Sequence, residues 1–302
     1  MFVWQTHLSN HALPISTYML DTLILCTLII SLVAFVLTLI PGKYDKYTAV
    51  VGWIMLEFSF LLMLPALLEE GNIFYPVLVI VGLPLIYITV KRLLVRDPRI
   101  LRLTYGAAVA GIVYAPFAMF TDLGNWLISV VIFCIQRVFD SIGYAYQMAD
   151  WDMFESVWSI PGQTYGYMDQ IILGCTGITA IAILLGVIAL TKTSWKQKIG
   201  LTLLVSVPIF FINIFRNVFV IMAYFGQWFP WFEEELTHPT IPGYASFFWS
   251  HNIICEGAAF LLILVIAYLL FRFSPGLISN IREILLVYRD DLRSMLRRGP
   301  RT

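Results

Sequence analysis

The stretch "GCTGITAIAILLGVIAL", Gly174 to Leu190, decides how this chain is read. It opens on a glycine and a cysteine, then stays apolar for nearly the 20 residues that a membrane helix needs. With the residues just before it, it makes a predicted span over about 171–190. Six more segments of that character lie at about 20–40, 49–68, 73–90, 103–120, 200–225 and 252–271, separated by short polar breaks. The composition agrees, since 60% of the 302 residues are hydrophobic and only 13% are charged. A soluble domain would have too few charges to cover its surface, so the chain is polytopic in a membrane. The expected fold class is all-α: a transmembrane helical bundle of seven firm spans, possibly eight, in one integral-membrane domain over 1–302.

Charge orients the stack. Lys43 and Lys46 fall in the first break, Lys91 to Arg102 in the third, Lys192, Lys196 and Lys198 in the fifth, and Arg272 to Arg301 after the last span. Seven spans put 17 of the 19 basic residues on one side, which the positive-inside rule makes cytoplasmic. The acidic residues gather opposite, at Glu69, Glu70, Asp122, Asp150, Asp152, Glu155, Asp169 and Glu233 to Glu235. The amino terminus is therefore expected outside and the carboxyl terminus in the cytoplasm. The first nineteen residues hold no Lys or Arg, so a retained first span is expected rather than a cleaved signal peptide.

Two segments depart from the pattern of uninterrupted apolar spans. In "WLISVVIFCIQRVFDSIGYAYQ", from Trp126, the polar residues Gln136, Arg137 and Asp140 interrupt the apolar run, which predicts a surface-lying or partly re-entrant helix. Arg137 and Asp140, one turn apart, read as a surface ion pair. Residues 272–302 space Ile278, Ile281, Leu285, Leu292 and Leu296 among arginines. That pattern predicts a basic amphipathic tail on anionic headgroups, or a solvated tail.

Arg216 escapes the basic side. It lies about nine residues, or roughly 13 Å, below the outer end of its span, with Asn213 and Asn217 beside it. A guanidinium in hydrocarbon costs at least ~2.5–3.5 kcal/mol and must find partners, either as a clamp on carbonyls or as part of a functional site. Cys175 lies at a similar depth between Gly174 and Gly177, and His251 with Asn252 opens the last span. Alone, Cys175 reads as packing and His251 as an interfacial residue. His7 and His238 read as solvated, and Cys26 and Cys134 as packing.

What changes the reading is that a thiol, a guanidinium and an imidazole reach one depth on three spans. That set suits acyl transfer. The thiolate of Cys175 would attack a carbonyl, Arg216 would stabilise the oxyanion, and His251 would act as base and then acid. Asn213, Asn217 and Asn252 would support them.

"GCTGI", "NIFRNVF" and "SHN", in that order and spacing, resemble the Cys, Arg and His signatures of the exosortase/archaeosortase family of polytopic transpeptidases, the archaeal branch more than the bacterial one. The resemblance covers most of the chain and is sharpest over 170–260. It implies an eight-helix core and a multi-pass protein of the cell membrane with its site on the extracytoplasmic side. The substrates would be secreted surface proteins ending in a Pro-Gly-Phe type motif, an apolar signal helix and a basic end. The new carboxyl end would pass to a membrane lipid; no cofactor, metal or nucleic acid is expected. A hydrolytic intramembrane cysteine protease remains open, as does a transporter using Arg216. A zinc site on His251, Cys255 and Cys175 is a further alternative.

Overall fold

The computed structural model describes residues 15–69, 74–191, 193–238 and 241–297. His7, Glu70, Lys192, Arg298 and Arg301 lie outside the described residues, as does the amino-terminal stretch. Among the described residues the protein is mostly helical, with seven helices long and apolar enough to cross a membrane. The chain divides into two compact units.

The first unit holds α1 (Ile15–Thr38), α2 (Asp45–Glu69), α3 (Phe74–Leu94), the amino-terminal part of α4 (Pro98–Met119), the end of α6 (Ile178–Ala189) and α10 (Pro275–Arg297). Helices α1 and α2 pack through small and polar side chains. Ser31 donates to the carbonyl of Gly52 at 2.8 Å, and Ser59 to the hydroxyl of Thr27 at 2.9 Å. Between α4 and α6 the backbones themselves approach. A Cβ on Gly186 would stand 2.5 Å from the carbonyl oxygen of Gly106, the close approach that small residues permit between membrane helices. Glu57, buried in α2, has one carboxyl oxygen without a partner among the described residues.

Helix α10 docks on this unit. Arg92 donates to both carboxyl oxygens of Asp291, at 2.7 and 2.6 Å, and holds that carboxyl below the usual carboxylate range. Arg102 meets Asn280 and Glu283, each at 2.8 Å, and Asn280 donates to the carbonyl of Leu190. These bonds gather the ends of α3 and α6, the start of α4 and the basic tail at one end of the unit. The expected amphipathic helix exists, but its faces divide. Leu277, Ile284 and Val287 are buried, whereas Ile278, Leu285 and Leu296 stay exposed.

The second unit holds the rest of α4 and α6, with α5 (Thr121–Ile142), α7 (Trp195–Phe225), α8 (Tyr244–Phe248) and α9 (Glu256–Phe273). Its strands are β1 (Gln147–Asp150), β2 (Met153–Ser159) and β3 (Gly166–Gln170), an antiparallel sheet in the order β1-β2-β3. The all-α expectation is corrected here. In "MFESVWS" burial alternates over the first four residues, with Phe154 and Ser156 turned inward, and "PGQ" supplies the turn into β3. Phe154 is fully buried, and its ring meets Phe139 of α5 edge-on at 5.8 Å.

The set of membrane-length helices also differs from expectation. Helix α5 qualifies by length and composition, while the predicted span over 171–190 is helical only over 12 residues of α6. Gly177 interrupts it with a left-handed φ of 77°, and Leu173–Thr176 form a separate 3₁₀ turn. Helix α5 buries Ile128, Val131, Ile132, Ile135 and Phe139 against the 214–225 half of α7 and the sheet. Arg137 lies over the ring of Phe133 at 4.8 Å, and no described ion pair joins it to Asp140.

Gly186→Ala is expected to lower stability by about 1–3 kcal/mol, because the added methyl meets backbone rather than a movable side chain. Gly257→Ala, with open space around its Cβ, serves as the control. Thermal unfolding in detergent measures both; equal midpoints would contradict the close crossing.

Candidate active site

Three elements of the second unit position the site. Cys175 lies in the 3₁₀ turn, Asn213, Arg216 and Asn217 lie on α7, and His251 lies in a π-helical stretch, Trp249–Cys255, between α8 and α9. Such widened turns often re-aim side chains at functional sites.

The turn is held by its own backbone. Asn213 and Asn217, four residues apart on one face of α7, both donate side-chain N–H groups to the carbonyl oxygen of Cys175, at 2.5 and 2.7 Å. Both lone pairs of that oxygen are thereby used. Gly177 makes the arrangement possible, since a Cβ there would reach 3.3 Å from Cγ of Asn213. Its small size serves the clamp on the turn.

Arg216 joins the turn to the last membrane helix. Its Nη1 donates to Oδ1 of Asn217 at 3.4 Å, and its Nη2 lies 3.0 Å from Nε2 of His251. A guanidinium has no acceptor, so Nε2 must accept and carries no proton. The ring proton then sits on Nδ1, which donates to Oδ1 of Asn252 at 2.7 Å. Phe247 stacks on the imidazole, with ring centroids 5.0 Å apart. Both ring nitrogens of His251 are therefore engaged, Nε2 by Arg216 and Nδ1 by Asn252.

The sequence reading of acidic positions did not distinguish Asp169. It is half-buried on β3, opposite the buried Phe154 and on the same face of the sheet. Burial pushes its carboxyl up to about 7, while the nearby charge of Arg216 pulls the other way. Its place six residues before Cys175 was visible, but only strand register shows which way it faces. Among the described residues, no three His, Cys, Asp or Glu side chains converge as a metal site.

The fold and site define a polytopic helical membrane protein carrying a Cys–Arg–His cluster on three elements. The chain is similar to archaeosortase A of Natronomonas pharaonis, 27% identical over 261 residues, covering 82% of this chain and 81% of that protein. It is also similar to archaeosortase A of Haloferax volcanii, 28% identical over 204 residues, covering 63% and 67% respectively. These relatives support the archaeosortase/exosortase family for this chain. No family profile and no solved structure matches it.

The carboxyl of Asp169 gives a pH signature. Unfolded, it would release its proton near 3.9; folded, it keeps the proton to about 7. The folded chain binds the extra proton between those values, so stability falls as pH rises through that window. Asp169→Asn is expected to flatten the fall, read as thermal midpoints from pH 4 to 8. Equal slopes for the two proteins would place the carboxyl in solvent.

Proposed function

We propose that this protein is a sortase-like processing enzyme for surface proteins, a cysteine transpeptidase that cuts a carboxyl-terminal sorting signal and passes the new end to a lipid. The observation that carries the reading is the double contact of Arg216, which ties the clamped Cys175 turn to the imidazole of His251. The names of the two relatives support the same class of enzyme.

In this reading Arg216 rests on Nε2 of His251 until a substrate carbonyl enters. The guanidinium then turns to the carbonyl oxygen, and that one movement frees Nε2 as a base and supplies the oxyanion donor. The thiol proton passes to Nε2, sulfur bonds to the carbonyl carbon, the C–N bond breaks, and the imidazolium returns the proton to the leaving amine. A lipid nucleophile then attacks the thioester, giving its proton to His251, and the departing sulfur recovers the thiol. Asn213 and Asn217 keep the sulfur in place by fixing its backbone.

Charge supports an extracytoplasmic site. Lys196 and Lys198 begin α7 and Arg272 ends α9, and Gln197 bonds the carbonyl of Phe273 at 2.9 Å, so these ends lie together. Arg216 is about 30 Å along α7 from its start. The basic end of this unit faces the cytoplasm.

Intact mass spectrometry tests the reaction. Wild-type protein in lipid, given a peptide with a Pro-Gly-Phe motif, an apolar span and a basic tail, is expected to yield a truncated product carrying lipid mass; Cys175→Ala is expected to yield none. A product with only the mass of water identifies a protease, and equal processing by both proteins removes Cys175 as nucleophile.

Arg216→Lys is expected to lower kcat about 10²–10³-fold with little change in KM, since a point charge cannot replace the planar fork. Near-normal kcat would dismiss the oxyanion role.

A further inference from the structure

Strand β3 ends five residues before Cys175, and its outer edge is unpaired. The register fixes which groups face outward. Ile171 donates its N–H to the carbonyl of Asp152 at 2.8 Å, which makes that pair a hydrogen-bonded one. Pairing then alternates, so Asp169 opposite Phe154 also directs both main-chain groups toward β2. Met168 and Gln170 direct their N–H and C=O groups the other way. With β3 at the edge of the sheet, neither has a main-chain partner among the described residues. Two donors and two acceptors thus stand in a row about 7 Å apart.

The same strand borders a cleft of roughly 110 Å³, lined by Ile160, Tyr165, Met168, Tyr224, Ile241 and Pro242. The hydroxyl of Tyr224 donates to the carbonyl of Pro242 at 3.0 Å, and the ring of Tyr167 packs edge-on against Tyr224 at 5.4 Å, so the wall beside the strand is braced. Met168 is 39% exposed, which leaves this edge open to a second chain. Unpaired edges normally carry Lys, Pro or a bulge that discourages pairing. The outward positions of β3 carry Met168 and Gln170, and the break in its register with β2 lies upstream of them, between Gly166 and Met168.

The geometry points to β3 as the strand onto which the substrate adds its own main chain. An extended peptide segment next to the scissile bond pairs with Met168 and Gln170, places one side chain in the cleft, and runs on to the Cys175 turn. Main-chain bonds supply affinity without reading sequence, and the cleft reads one residue. Extended binding also presents the carbonyl in a fixed orientation to the sulfur, which lowers the entropic cost of attack. This inference rests on the transpeptidase reading and deepens it by naming the segment of the substrate that docks and the edge that receives it.

The test uses the full-length Cys175→Ala protein in lipid nanodiscs and a fluorescent substrate peptide whose residues around the cut are N-methylated one at a time. Anisotropy gives Kd for each. Methylation at alternate residues is expected to weaken binding about tenfold or more, with the intervening residues nearly unaffected. Met168→Pro, which deletes one outward N–H at an edge position that tolerates proline, is expected to weaken the unmodified peptide similarly. A flat N-methyl profile, with wild-type protein still processing the unmodified peptide, overturns the edge docking alone. Failure of the wild type to process that peptide overturns the transpeptidase reading and the docking with it.

Discussion

Arg216 carries a permanent charge on an otherwise apolar membrane-length helix, and the site is organised by the way that charge is satisfied. One guanidinium nitrogen meets Asn217 and another meets His251. The first contact leads through the amide of Asn217 to the backbone of Cys175, and the second sets the imidazole tautomer, which Asn252 completes. Removing the cation would leave the amide of Asn217 and the imidazole of His251 without their common partner. A buried charge inside a membrane protein is retained when such a network satisfies it.

That network explains why the Cys175 segment is not simply helix. A continuous helix would bond the Cys175 carbonyl internally, four residues ahead. Breaking the helix at Gly177 releases that carbonyl, and Asn213 and Asn217 take it up. The cost of an interrupted ladder is offset by two amide bonds. The sulfur gains a fixed position at the start of α6 instead of one on a uniform helix face.

The sheet has a parallel role. It follows α5 in the chain, packs Phe154 into the same core as Phe139, Ile221 and Phe225, and delivers β3 directly to the Cys175 turn. Asp169 and Tyr167 face inward from β3, while Met168 and Gln170 present main-chain groups outward. One short strand therefore serves the electrostatics of the site on one face and has an open edge on its outer side.

Much of this was legible in the residues. Long apolar runs with segregated charge are enough to specify membrane-length helices, because hydrocarbon tolerates little else. Cys175, Arg216 and His251, with their three asparagines, stood out as polar groups where polarity is costly. Four things needed the tertiary structure. The sheet was hidden because its strands are short and their alternation weak; the membrane length of α5 was hidden because Arg137 and Asp140 interrupt its apolar run, although both sit on its exposed face. The break at Gly177 depends on a backbone dihedral and on the approach of Asn213, neither of which a linear pattern contains. The partner of His251 is a guanidinium rather than a thiol because three separate segments converge with particular spacings. Local periodicity determines which segments are apolar and helical; which polar atoms then meet is decided only by packing, where an ångström separates a hydrogen bond from none.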